Sequence, residues 1–278
     1  MAGAALLFAL ASCSREQDMG NTGAVGDGET CVKFSIWLPG NNAPTTRALT
    51  ASNENHVQTI DILIFEQGGA WVYNTGCSGS DITTDGGDPL KKSFTIKMRQ
   101  GSYDMVMLAN ARSIVSGMNM SGQSKSAVLA ALTVQMPSGG KWIADPAAAD
   151  YKAIPMWGDV GNVTINSSTQ NLDAQNIRLT RMLARVDVQI DPAVTNFTLT
   201  SVDVYNYNTM GALVPTAAGS WDASTMTAIA PNVPSASTLT KGPLEYNNDS
   251  GKSEINTPAH PAAMEISWFE AANPPAGG

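Results

Sequence analysis

The segment VQTIDILIFEQGGAWVY, residues 57–73, decides the fold class of this chain. A strongly apolar run from Val57 to Phe65 is followed by the turn Gly68-Gly69 and by a second short apolar run that ends at Tyr73. Two such runs joined by a glycine turn are typical of a β-hairpin. The segment therefore predicts two antiparallel strands.

Residues 32–38, upstream of this hairpin, predict another strand. Apolar and polar side chains alternate there with a period of two, as in a strand that buries one face, and the apolar ones are Val32, Phe34, Ile36 and Leu38. Further strands are predicted at residues 94–99, 103–108, 163–165, 177–179, 182–190, 197–205 and 264–269. A helix is predicted at 124–134, with loops at 76–89 and 137–150. Short strands separated by turn residues favour an all-β chain with Greek-key connections.

Composition narrows the class of protein. The chain has 278 residues, of which 43% are hydrophobic and 14% charged, so it can form a substantial core with few charged groups. Its net charge of −8 disfavours nucleic-acid binding, because an acidic surface repels phosphates.

Candidate catalytic and metal-binding residues are sparse, and the sequence predicts neither an enzyme nor a cofactor. His56 and His260 stand outside any zinc or nucleophile motif. Asp81, Asp85 and Asp88 miss the spacing of a calcium-binding EF-hand loop. The methionines and tryptophans are interpreted as packing residues rather than a copper site or a glycan platform; those considered are Met98, Met105, Met107, Met118, Met120, Trp71, Trp142, Trp157 and Trp221.

The first thirteen residues predict export. An apolar run at residues 4–9 leads to Leu10-Ala11-Ser12-Cys13, which resembles a bacterial lipobox, with residues 1–12 as the signal peptide and Cys13 as the lipid-attachment residue. An ordinary cleaved signal with an incidental cysteine is the alternative. No Lys or Arg precedes the apolar run, so Met1 would be an internal start.

A glycine-rich tether at residues 14–29 follows the predicted lipid-attachment site. After the strand at 32–38, residues 43–50 form an exposed linker that contains Arg47. Cys31 and Cys77 could pair in an oxidising compartment, and the sequence leaves both the bonded and the unbonded state open.

Several segments together resemble the fimbrillins, the major fimbrial subunit family of Bacteroidales bacteria. They are the lipobox at Cys13, Thr46-Arg47-Ala48-Leu49, the strand at 60–65, residues 103–110, Pro155-Met156-Trp157-Gly158, the stretch at 177–188 and Ile266-Ser267-Trp268-Phe269-Glu270. The resemblance implies two tandem transthyretin-like β-sandwich domains. We expect a tether and removable strand at 13–47, a first domain at 48–190 and a second, truncated domain at 191–278.

The resemblance also implies a mechanism of assembly. An arginine-specific protease would cut between Arg47 and Ala48, the strand carrying Val32, Phe34, Ile36 and Leu38 would leave, and a donor strand from another fimbrial subunit would replace it. The chain would then be a stalk or tip subunit of a surface fimbria that supports adhesion to host or bacterial ligands, exported as an outer-membrane lipoprotein precursor. The alternative is a lipid-anchored surface protein that does not polymerise and binds, for example, glycans.

Overall fold

The computed structural model describes residues 28–40, 51–137, 142–189, 201–205, 207–214, 239–240, 244–247, 255–256 and 263–269. Most of these residues lie in strands. In chain order they are β1 (Glu29–Trp37), β2 (Thr59–Glu66), β3 (Trp71–Ser78), β4 (Thr83–Asp85), β5 (Asp88–Arg99), β6 (Gly101–Ala109), β7 (Thr133–Gln135), β8 (Met156–Ile165), β9 (Ile177–Arg178), β10 (Thr180–Arg181), β11 (Leu183–Gln189), β12 (Ser201–Val204), β13 (Tyr207–Asn208), β14 (Met210–Ala212), β15 (Leu239–Thr240), β16 (Leu244–Asn247), β17 (Ile255–Asn256) and β18 (Ala263–Phe269).

Helices are short in the described part of the chain. They are α1 (Ala51–Glu54), α2 (Arg112–Val115) and α3 (Lys125–Ala131), with single 3-10 turns at Gly79–Asp81 and Asp173–Gln175. Within those residues, no helix has the length and apolar character that a bilayer crossing requires.

Two sheets form the first part of the fold. One has four strands in the order β4-β5-β1-β9, and the other has five in the order β10-β8-β6-β2-β3. The chain passes from the first sheet to the second at Leu179, because Ile177 and Arg178 pair with β1 whereas Thr180 and Arg181 pair with β8. The buried side chain of Leu179 lies in the core at this crossing.

The main hydrophobic core draws its side chains from both sheets. Alternate residues of each strand contribute to it, as the period of two requires. Its largest fully buried members are Phe34, Ile36, Ile60, Ile62, Ile64, Met98, Met105 and Met107.

The five-stranded sheet also buries its second face. Leu63, Phe65, Val106 and Leu108 point into a separate core that α2, α3 and the segment 142–154 cover. Residues from much later in the chain complete this cover, since β14 pairs with β7 and the buried Leu213 and Val214 belong to the same cluster. Strands β2 and β6 are apolar on both faces because both faces are covered.

The structure confirms the all-β fold class and the hairpin predicted at residues 57–73, which forms β2 and β3. The prediction of a loop at residues 76–89 is wrong. Strand β3 extends to Ser78, and β4 pairs with β5 around the turn Gly86-Gly87. The predicted helix is present but ends at Ala131, because Thr133–Gln135 pair with β14 instead of continuing it.

Strands after residue 182 form further sheets. Strand β11 pairs antiparallel with β18 over seven residues, and β17 joins them. The predicted first domain, residues 48–190, contains β11, whereas its pairing partner β18 lies in the predicted second domain. The division of the chain into two domains, and the boundary at 190, remain predictions.

Candidate functional site

Strand β1 occupies an interior position in the four-stranded sheet, between β5 and β9. Nine of its residues pair antiparallel with β5, beginning with Glu29 opposite Arg99. On its other side, Ile36 and Trp37 pair parallel with β9. The N-terminal strand is therefore enclosed by later parts of the chain and does not form an outer edge of the sheet.

Main-chain hydrogen bonds hold both long sides of β1. On the side away from β5, the Lys33 amide donates to the Gln170 carbonyl at 3.0 Å, and the Lys33 carbonyl accepts from Leu172 at 2.9 Å. The Trp37 carbonyl accepts from Leu179 at 2.8 Å. Removal of β1 would thus leave unpaired backbone groups along two neighbouring segments, a situation that strongly favours the addition of another strand.

The four apolar side chains predicted to face inward do so. Val32, Phe34 and Ile36 are fully buried and Leu38 is 4% exposed. At about 1.5–3 kcal/mol for each side chain, their burial contributes about 6–12 kcal/mol gross. This burial is large enough to hold β1 in the intact chain.

Three cross-strand pairs fix the register of β1 on β5. The rings of Phe34 and Phe94 stack, the Lys91 ammonium lies 5.1 Å from the centroid of the Trp37 ring, and the Ser35 and Ser93 hydroxyls are 3.0 Å apart. The alternation predicts Ser35 on the solvent side, but it is fully buried. Its hydrogen bond to Ser93 explains why this polar side chain is tolerated there.

Other predicted site residues lie outside the described part of the chain. These are the lipid-attachment residue Cys13 and the protease-site residues Arg47 and Ala48. Their roles remain predictions.

Cys31 and Cys77 are not bonded to each other. Cys31 is exposed on β1, whereas Cys77 is buried on β3. Burial raises the pKa of the Cys77 thiol to about 12, and the nearby Asp81 carboxylate acts in the same direction.

The carboxylates considered for metal binding serve the local chain instead. Asp85 accepts from the Gly87 amide at 3.3 Å and forms an ion pair with Lys91, and these contacts lower its pKa. Asp88 accepts from the Leu90 amide at 2.9 Å. Within the described ranges, no three His, Cys, Asp or Glu side chains form a cluster that could hold a metal ion.

His56 has a partner that the sequence did not suggest. Its Nδ1 lies 2.6 Å from the Tyr151 hydroxyl, and the two rings stack with centroids 5.8 Å apart. The Asn110 side chain donates to the His56 carbonyl at 2.9 Å. These contacts link the segment before β2 to the loop before β8.

The sequence did not predict two polar contacts that the structure brings together. Asp61 of β2 pairs with Arg112 of α2, and Asn55 contacts Arg181, which lies 126 residues further along the chain. The only sequence feature that hints at these contacts is an acidic or amide side chain next to, or within, an apolar strand. Neither pairing could be found without the topology that brings distant segments together.

Comparison with known proteins identifies the family. Residues 23–263 match the family model described as fimbrillin-A associated anchor proteins Mfa1 and Mfa2. No curated protein is significantly similar to the chain.

Among solved structures, the fold is similar to the tip fimbrial protein Mfa3 from Porphyromonas gingivalis with a C-terminal truncation. That pair has 18% identity and a TM-score of 0.50, and the match covers 88% of this chain and 70% of the other. A fimbrial assembly protein from Parabacteroides distasonis is 13% identical with a TM-score of 0.40, and the match covers 86% of each chain.

The family match includes β1 and most of the strands that follow it. It confirms the fimbrial family predicted from the sequence. The chain belongs to the family of the fimbrillin-A associated anchor proteins Mfa1 and Mfa2, and is a fimbrial protein of the cell surface.

Proposed function

We propose that this chain is a stalk or tip subunit of a surface fimbria, that it assembles by exchanging β1 for a donor strand of another subunit, and that it supports adhesion without enzymatic activity. The observation that carries the proposal is the interior position of β1. Strand β1 fills a slot between β5 and β9 with three buried apolar side chains, Val32, Phe34 and Ile36, and the buried Leu38 follows directly after it. A strand with the same alternation could replace both its backbone pairing and its buried surface.

The position of Arg47 supports cleavage there. Strand β1 ends at Trp37 and α1 begins at Ala51, so a cut after Arg47 would leave every described strand intact. Such a cut would sever the covalent link between β1 and β2. The burial of the apolar side chains of β1 would then keep it in its slot until a competing strand arrived.

The test uses the purified precursor, an arginine-specific protease and a partner subunit. We expect polymers that resist SDS without heating for wild type and none for Arg47→Ala. Arg15→Ala is the matched control, because Arg15 is also an arginine of the N-terminal segment but lies before β1. Polymers from uncut Arg47→Ala protein would overturn the strand-exchange function.

A second candidate function is a lipid-anchored surface protein that does not polymerise. The description of the matched family as anchor proteins favours it. We propose lipid attachment at Cys13 in the outer-membrane precursor under both functions. An anchored protein would keep the lipid and β1 together, so palmitate label and β1 would be recovered in one polypeptide from the cell surface. Palmitate label that persists in Cys13→Ala would overturn this lipid assignment.

A further inference from the structure

The buried side-chain amide of Asn55 lies at the C-terminal end of the slot that β1 occupies. Pro39 lies two residues beyond β1 and is itself buried. Its carbonyl accepts a hydrogen bond from Asn55 Nδ2 at 3.1 Å. Asn55 is 5% exposed and follows α1 directly, so it belongs to the part of the chain that would remain after β1 departs.

The contact with Arg181 fixes the orientation of the Asn55 amide. Asn55 Oδ1 accepts from Arg181 Nη2 at 2.7 Å. A guanidinium can only donate, so the oxygen of the amide must face Arg181 and the nitrogen must face Pro39. Glu54 Oε2 lies 3.4 Å from the same Arg181 nitrogen and offsets the charge of this partly buried guanidinium.

Arg181 also connects this cluster to the walls of the slot. It lies in β10, where it pairs with Met156 of β8. Two residues earlier, Leu179 donates to the Trp37 carbonyl at the end of β1. The segment that closes one side of the slot therefore also positions the Asn55 amide.

We infer that Asn55 is a positioning residue that binds the main-chain carbonyl at the downstream end of whichever strand occupies the slot. The inference rests on the proposed strand exchange and specifies how the occupant is held. Since the amide contacts a carbonyl rather than a side chain, an incoming strand does not need a proline at this position. It must instead extend two residues beyond the last paired residue of β1.

An empty slot would leave the Asn55 amide without this acceptor. Arg181 and Glu54 would still hold the side chain in place, and a buried donor without a partner is unfavourable. The amide therefore favours long occupants over short ones.

The experiment measures strand exchange in the full chain. A recognition sequence for a site-specific protease is inserted between Thr45 and Thr46, so that the cut does not depend on Arg47. In a Cys13→Ala background, a fluorophore is attached to the exposed Cys31. After cutting, two unlabelled peptides compete with the labelled strand, one of residues 28–40 and one of residues 28–38, each carrying Cys31→Ser.

We expect the longer peptide to bind wild type more tightly than the shorter one, and this preference to fall about five- to tenfold in Asn55→Ala. Asn55→Asp should lose the preference as well, because its carboxylate can still accept from Arg181 but cannot donate to a carbonyl. Thermal unfolding of the uncut variants checks that both fold.

Asn110→Gly is the control. It removes an amide that bonds the His56 and Ile154 carbonyls in the neighbouring segment, and glycine suits the positive φ of 57° at that position. It should keep the full preference for the longer peptide. An unchanged preference in Asn55→Ala would overturn the role of Asn55 alone, whereas no exchange in any variant would overturn the strand-exchange function together with this role.

Discussion

Phe34 and Phe94 lie opposite each other on β1 and β5, with ring centroids 5.5 Å apart and ring planes inclined by 11°. Both side chains are buried in the core between the two sheets. This stacked pair joins β1 to β5 within the core.

Phe34→Ala should therefore lower the free energy of unfolding of the intact chain by about 3–5 kcal/mol, because it removes a large buried side chain and leaves a cavity. Denaturant unfolding measures the change. Lys33→Ala, one residue away on the exposed face, should change it by less than about 0.5 kcal/mol. A loss below about 1 kcal/mol for Phe34→Ala would mean that β1 is not held in the core as described.

Arg112 should be important for stability, because its side chain joins α2 to β2 and β3. Its Nε donates to Asp61 Oδ1 at 2.5 Å, and its Nη2 donates to the Ile60 and Cys77 carbonyls, each at 3.0 Å. Burial raises the pKa of Asp61 and the Arg112 charge opposes that shift. Arg112→Met should destabilise the fold by about 3–5 kcal/mol, since it leaves Asp61 buried without its partner.

The double variant Asp61→Leu with Arg112→Met provides the control for that prediction. It removes both charges, so its unfolding free energy should lie above that of Arg112→Met alone. Denaturant curves of the three proteins would show the order. A double variant less stable than the single one would contradict the explanation by an unpaired buried charge.

The two described cysteines should react very differently in the native protein. In a Cys13→Ala background at pH 8, a thiol reagent should modify the exposed Cys31 and leave Cys77 intact, because Cys77 is buried and its pKa is raised to about 12. Mass spectrometry after brief labelling measures this difference. Modification of Cys77 at the same rate in native and denaturant-unfolded protein would contradict its burial.

Asp104 should make a pH-dependent contribution to stability. Burial alone would raise its pKa, but hydrogen bonds from the Asn162 and Gly68 amides, at 3.0 and 3.1 Å, and the nearby Lys125 charge lower it overall. A lowered folded-state pKa stabilises the fold above the ordinary value of 3.8, and this contribution is lost as pH falls through the folded value.

Asp104→Asn should consequently destabilise the protein at pH 7 by no more than about 1 kcal/mol, because the carboxylate is partly exposed. The difference from wild type should be constant above about pH 5 and shrink below about pH 4. Unfolding measured from pH 3 to pH 7 tests this. A difference that grows on acidification would reverse the assigned sign.

Local periodicity predicts the strands of this fold well where buried and exposed side chains alternate regularly along the chain. The alternation at 32–38 identifies the buried face of β1, and the glycine turn identifies the β2–β3 hairpin. Ser35 departs from the rule because its partner Ser93 is 58 residues away. Asn55 and Arg181 are brought together by the crossing between sheets at Leu179, which no local pattern encodes. The end of α3 likewise depends on a strand near residue 211.

The two neighbours of β1 in the sheet run in different directions relative to it. Strand β1 runs antiparallel to β5 and parallel to β9, and a strand that reproduced all of its backbone pairings would have to run in the same direction. If another subunit supplies that strand, the contact joins two different surfaces, a head-to-tail arrangement that need not close on itself. A filament built this way would have two unlike ends, one with an unused donor strand and the other with an unfilled slot. A new subunit would add to the first end through its slot and to the second end through its donor strand.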